Sequence, residues 1–214
     1  MGNQNGNSTI AYNNFKLMPK IPYMIFEKLI MNTSDSAENM WKAIKYATTD
    51  AVSKPNLTFK QKKTMLWTPD AVNSSQENLF NVFLKALVPS SLNTAGEQIQ
   101  LRIYKLLTKP YSNTEAIIAY QFDIITQEAT CMILDEDGIM VERVDYIEAC
   151  LLDILNGSDI NIGSSKFSFA PIDPMTSNTI NSSFSIDNSK SLFGTSMRLA
   201  LRYVNAETGG LCGG

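Results

Sequence analysis

Apolar residues recur three and four apart through roughly residues 20 to 90 of the chain, then every second residue from about residue 97 onward. The change of period predicts a helical first half and a sheet-based second half. Pro22 suits the first turn of a helix running "PYMIFEKLIM". Asp35 and Glu38 read as a capping box for "SAENMWKAIKYA", where Ala37, Met40, Trp41 and Ile44 form a buried stripe. Thr58, with Gln61 three residues on, caps a third helix in "FKQKKTMLW", which Pro69 closes. A fourth helix is predicted over "SQENLFNVFLKAL", with Leu79, Val82, Phe83, Ala86 and Leu87 on one face and an end before Pro89.

In "QIQLRIYKLL", Ile99, Leu101 and Ile103 alternate with Gln100 and Arg102, the signature of a half-buried strand. "AIIAYQFDII" places Ile118, Tyr120, Phe122 and Ile124 on one face, and the turn "KPYSN" joins the two as an antiparallel hairpin. "TCMIL" is a third strand. After the turn "DEDG", Val144, Ile147, Leu151 and Ile154 are helically spaced, and Gly157 stands where a left-handed residue ends a helix. A last strand, "MRLALRYV", turns Met197, Leu199, Leu201 and Tyr203 to one side. The fold class is α+β: helices on an antiparallel sheet, one long helix, and a long inserted arm.

That arm is Ser164 to Met197. Its composition is mostly uncharged and rich in Ser and Asn, yet it holds Phe167, Phe169, Ile172, Ile180, Phe184, Ile186, Leu192 and Phe193. Disordered chain is depleted in such residues, and long structureless insertions are rare inside compact domains. "KFSFAPI" and "SFSID" also alternate. The simplest physical account is a β-arm that buries Phe167, Phe169, Ile180, Phe184, Ile186, Leu192 and Phe193 against another subunit. Residues 1–15 and 206–214 read as flexible ends of a single domain spanning 16–205.

Composition narrows the chemistry. The chain of 214 residues has 44% hydrophobic content and no histidine, which removes Ser-His-Asp and Cys-His sites, His-ligated zinc and histidine acid–base chemistry. A net charge of −3, from 18 basic and 21 acidic residues, gives no electrostatic footprint for tight nucleic-acid binding. "MGNQNGNSTIAYNNF" has no basic n-region or long apolar run, and Gly6 breaks the myristoylation pattern, so the expectation is a chain that stays in the cytoplasm where it is made, with no membrane partner. Cys131, Cys150 and Cys212 read as reduced thiols.

The remaining motifs have bland readings. Asp135, Glu136, Asp137 and Gly138 lack EF-hand spacing and form a turn rather than a cation site. "NGSDINIG" follows a helix instead of opening one, so it is a helix stop and not a dinucleotide loop. Lys60, Gln61, Lys62 and Lys63 read as a solvated helix face, and Trp41 and Trp67 as core. No catalytic, metal or cofactor site is assigned. The enzymatic alternative is a Mg²⁺ nuclease using Asp135, Asp137 and Glu142.

The runs "MWKAIKYATTDAVSKPNLTFKQKKTMLW", "LRIYKLLTKPYSNTEAIIAYQFDIITQ", "RVDYIEACLLDILNGSDINIG" and "SLFGTSMRLALRYVN" resemble, in order and spacing, the neck ring or head–tail connector proteins of tailed bacteriophages, most of all those of crAss-like podoviruses. The resemblance spans roughly residues 15 to 205 and carries no active-site positions. It implies a non-enzymatic virion protein assembled in the host cytoplasm as a cyclic ring, twelve-fold or six-fold. Such a ring sits between the portal and other neck or tail proteins, laced by arms, and DNA is only passing cargo. A tail terminator or capsid-auxiliary protein is the alternative within the same class.

Overall fold

The computed structural model describes residues 18–68, 80–86, 99–110, 115–162, 165–171, 181–187 and 192–204. The class is α+β. Helix α1 (Ile21–Met31) carries Pro22 in its first turn and buries Ile25, Phe26, Leu29 and Ile30. Helix α2 (Asp35–Lys45) is capped one residue earlier than the sequence suggests, because extended Ser34 accepts the Ala37 N–H on its side chain. Its stripe of Ala37, Met40, Trp41 and Ile44 is buried as expected. The Trp41 ring meets Phe26 edge-on with centroids 6.1 Å apart, and its Nε1 donates to the Leu29 carbonyl at 3.1 Å. One side chain thereby fixes α2 against the last turn of α1.

Helix α3 (Phe59–Thr64) has the predicted capping box, with Thr58 and Gln61 exchanging side-chain and backbone hydrogen bonds. It ends sooner than its pattern suggested, because Val82 N donates to the Met65 carbonyl at 3.0 Å and Trp67 N to the Val82 carbonyl at 2.9 Å. This pairing overturns the fourth helix. Its described part instead contains strand β1 (Val82–Phe83), parallel to β2 (Gln100–Pro110). The physical reason lies in Asn81, whose Nδ2 donates to the Ile44 carbonyl at 3.2 Å and the Ile99 carbonyl at 2.9 Å, while its own carbonyl accepts Leu101 N at 2.7 Å. Those long-range bonds override local helix propensity. Leu79, Leu87 and Pro89 lie outside the described residues.

Strands β2 and β3 (Glu115–Gln127) form the predicted antiparallel hairpin, with a register shift between Lys105 and Leu107. Two short strands, β4 (Met132–Leu134) and β5 (Met140–Glu142), make a separate hairpin whose turn ends at Gly138, φ 77°. Helix α4 (Arg143–Leu155) follows, with Val144, Ile147, Leu151 and Ile154 buried and Gly157 at φ 71° beyond its end, where the left-handed backbone favours glycine. Then come β6 (Asp159–Ile162), β7 (Ser165–Pro171), β8 (Asn181–Asp187) and β9 (Leu192–Val204).

The large sheet runs β1-β2-β3-β9-β7-β6, with β8 also paired to β9. It is antiparallel except at β1–β2. One continuous core joins Leu101, Ile103, Ile118, Tyr120, Phe122, Ile124, Met197, Leu199 and Leu201 of the sheet to the apolar faces of α1, α2 and α4. Within the segment read as an inserted arm, the described stretches pair with β9 of this chain. Residues 165–171 and 181–187 are strands, and the last strand begins at Leu192 rather than Met197.

Candidate functional site

Strand β9 is paired along one side by β3 over its whole length. Its other side is shared end to end: β8 pairs Leu192 to Met197, and β7 pairs Leu199 to Tyr203. Arg198 falls at the junction of the two. Phe169 is the register partner of buried Leu201, Phe167 of Tyr203, and Phe184 of Gly194, while Ile186 occupies the register shift between Ser185 and Asp187. Leu192 is buried within the chain, and Phe193 beside it is half-buried. Ile180 and Ile172 lie outside the described residues.

The face of the sheet turned away from the core cluster carries polar residues that are buried or half-buried. Pairing aligns Arg102, Asp123 and Ser196 in one row and Tyr104, Gln121 and Arg198 in the next. Asp123 accepts from Tyr104 Oη at 2.8 Å, from Gln121 Nε2 at 2.7 Å and from Ser196 Oγ at 2.5 Å. Arg198 Nε donates to Gln121 Oε1 at 3.2 Å. Burial, reinforced by the hydrogen bond and charge of Asp123, pushes the Tyr104 phenol above its ordinary range. With three donors on its carboxylate, Asp123 is held as a fixed acceptor that locks strand register. These positions alternate with the core-facing residues of their strands, yet Gln100, Gln121, Asp123 and Ser196 are all buried.

A second buried polar centre is Arg143, which is fully buried. Its Nε donates to the Thr130 carbonyl at 2.6 Å, Nη1 to Ala43 at 2.7 Å and Tyr46 at 2.9 Å, and Nη2 to Thr48 at 2.8 Å and Met132 at 3.4 Å. Burial lowers its pKa to about 10. Backbone carbonyls at the C-terminal end of α2 supply the compensating negative potential.

Lys62 corrects another expectation. Lys60, Gln61 and Lys63 are exposed, but Lys62 is buried and its Nζ sits 2.6 Å from Glu38 Oε1, so α3 is tied to α2 by a sheltered ion pair. Trp41 is core as expected; Trp67 is only half-buried, with the Lys85 ammonium 3.3 Å from its ring centroid. The "DEDG" segment is a turn: Asp135 Oδ1 accepts the backbone N–H of Asp137 at 3.0 Å and of Ile139 at 2.8 Å. Glu142 stands at the N-cap of α4 and makes no side-chain cap there. Among the described residues, no group of three or more Cys, Asp or Glu side chains is placed to hold a metal. Cys131 and Cys150 are free thiols, and Cys212 lies outside the described residues.

In comparisons with known proteins, no family model and no curated protein matches the chain. Among the described residues no helix is long and apolar enough to cross a membrane.

The polar groups that geometry brings together were thus the ones sequence reasoning passed over. Asp123 and Gln121 had a signal, since a charged residue and an amide stand two apart in an otherwise apolar strand. Arg143 had none, because an arginine at the start of a helix is ordinarily solvated.

Proposed function

We propose that the chain is a structural, non-enzymatic subunit that closes into a ring in the neck of a tailed-phage virion, connecting portal to tail around the DNA channel. The observation that carries this reading is the open sheet with two unlike ends. Among the described residues, β1 pairs β2 only at Leu101 and Arg102 on one side, leaving no strand beyond β2 from Ile103 onward, while on the other the sheet ends in β6 paired to β7 and in β8 paired to β9. Unlike ends favour head-to-tail contacts between copies, and such contacts close into rings when the rotation between copies allows.

Three further features support it. The resemblance to crAss-like phage connectors covers most of the chain. Asp123 and Arg143 are engaged with this chain's own groups, which suits a rigid scaffold. The net charge of −3 suits a channel that lets phosphate slide past.

Electron microscopy of the purified protein, alone and mixed with its portal, tests the reading. Annular particles with an open centre are expected. Particles without a channel, or Mg²⁺-dependent DNA nicking lost in an Asp135→Ala/Asp137→Ala variant, would overturn it.

A further inference from the structure

Helix α4 runs directly into an Asn–Gly pair. Asn156 at φ −65° and ψ 126° and Gly157 at φ 71° are the central residues of a type II turn, which Ser158 N closes onto the Leu155 carbonyl at 3.0 Å. Ser158 Oγ donates to the same carbonyl at 2.8 Å. Both central residues are exposed, and nothing stands within 4 Å of the place a Cβ would take on Gly157.

An asparagine carries its own electrophile. The backbone nitrogen of the next residue can attack the side-chain amide carbon, and a glycine in that place has no Cβ to hinder the approach. A related pair, Asp137–Gly138, stands exposed at the turn of the β4–β5 hairpin, but there the conditions are unfavourable. Gly138 N is engaged with the Asp135 carbonyl at 3.1 Å, and a carboxylate resists the attack that a neutral amide accepts. Among the described residues, Gly157 N donates no such backbone hydrogen bond.

We infer that Asn156–Gly157 is a site of spontaneous self-modification, metered by the turn that holds it. Gly157 N gives its proton to solvent base and bonds to Asn156 Cγ; the bond from Cγ to the side-chain nitrogen breaks, ammonia leaves, and a cyclic succinimide remains. Water then opens either ring carbonyl to give aspartate or isoaspartate at position 156, so water is taken up, ammonia is released and no other reactant is consumed. At ψ 126° the Gly157 nitrogen is rotated away from the Asn156 side chain. Ring closure therefore waits for the turn to open, and the two bonds from Ser158 set how often it does. The product matters to the fold, because α4 has Asp153 and no basic residue in its last turn, and a further carboxylate is unfavourable at the negative end of a helix. Isoaspartate also lengthens the backbone between α4 and β6. None of this depends on the ring reading.

The test incubates the full chain in mildly alkaline buffer, well below its melting temperature and also in denaturant. Peptide mass mapping with isoaspartate detection reads position 156 separately from Asp137 and from Asn5–Gly6, which lies outside the described residues. Conversion at position 156 is expected in the folded chain, faster in denaturant, and ahead of Asp137 in the fold. Ser158→Ala removes one of the two bonds that hold the turn and should speed conversion in the fold about two- to ten-fold, the factor that corresponds to one net hydrogen bond. Asn156→Gln, whose longer side chain closes a ring far less readily, should abolish it.

If position 156 stays unchanged in the folded chain while it converts in denaturant, the fold closes this site and the inference is wrong. Equal conversion of Asp137 and Asn156 in the fold would equally overturn it, and so would a Ser158→Ala chain that is folded and converts no faster than the parent.

Discussion

Arg143 donates through Nη1 to the carbonyl of Ala43, a residue 100 positions earlier in the chain, at 2.7 Å. The same guanidinium reaches Tyr46, Thr48, Thr130 and Met132, so it joins the end of α2, the loop after it, the turn before β4, and β4 itself. Arginine alone offers five donors in a fixed fork, and the five carbonyls use that fork in full.

Removing this group strands several buried carbonyls at once. Each unsatisfied buried acceptor costs about 1–3 kcal/mol, so Arg143→Met should destabilise the chain by at least about 3 kcal/mol in urea unfolding. Arg143→Lys keeps the charge but has three donors where five are used, and should recover only part of the loss. Equal stability of Lys and Arg at this position would show that the charge alone matters and that the carbonyl cage does not.

Tyr120 presents the opposite case. Its ring is fully buried in the main core, and among the described residues its hydroxyl has no hydrogen-bond partner. Burial pushes its phenol well above the ordinary range, consistent with a group that stays protonated in an apolar setting. Tyr120→Phe removes an unsatisfied oxygen and keeps the ring, so the variant should be as stable as the parent or up to about 1 kcal/mol more stable. A loss of more than that in thermal or denaturant melting would reveal a partner for the hydroxyl.

What could be read from the chain, and what could not, divides along the range of the interactions. Periodicity placed Ile99, Leu101 and Ile103 on a strand and Val144, Ile147, Leu151 and Ile154 on a helix, because burial of one face is a local pattern. The Thr58–Gln61 cap was legible for the same reason. Asn81 defeated the helix predicted around it by bonding to Ile44 and Ile99, partners 37 and 18 positions away. Lys62 looked solvated because its partner, Glu38, stands 24 positions off. The burial of Asp123 and Gln121 was not legible, because alternation reveals which face a residue takes and not whether that face is covered. The segment before the last strand shows the same gap: its alternation is visible, but nothing local reveals that Leu192 to Tyr203 offers β7 and β8 a partner within the chain.

Cys150 gives a pH prediction with a definite sign. Burial, with the charges of Glu136 and Asp153 adding to it, raises its thiol from the ordinary 9.0 to about 12. The native state therefore holds this proton where the unfolded chain releases it. The resulting contribution to stability is fully present below pH 9.0 and is lost as pH rises toward about 12. Cys150→Ala has no thiol to ionise, so the stability advantage of the parent over this variant should shrink steadily between those limits in unfolding experiments. At pH 8 the native Cys150 thiol should also resist alkylation under conditions that modify it in denaturant. A parent–variant difference that does not change with pH would mean the thiol ionises as freely in the fold as outside it.

The segment between β7 and β9 supplies the last prediction, in which the subunit and its assembly make different demands. Deleting Thr176 to Lys190 removes all of β8 and uncovers one side of β9 from Leu192 to Met197. If the segment were an arm docked only on a neighbour, the lone chain would melt as before. As a strand of this sheet it contributes several backbone hydrogen bonds, each worth about 0.5–1.5 kcal/mol net. It also covers the β9 edge beside buried Leu192, Thr195 and Ser196. The deletion should therefore lower the stability of the isolated chain by about 2–5 kcal/mol, a sum at the low end of those bonds because the shortened loop recovers some entropy. A milder change separates the two roles: Ser182→Pro and Ser183→Pro, at neighbouring positions opposite Ser196 and Thr195 and made one at a time, each remove a single N–H from β8. Neighbouring residues of a strand point their N–H groups to opposite sides, so the ladder onto β9 is weakened only when the lost N–H points inward. The substitution that leaves the melting temperature unchanged identifies an outward N–H, and that same substitution should weaken self-association. If a proline tolerated by the isolated chain leaves assembly untouched, β8 serves the subunit alone.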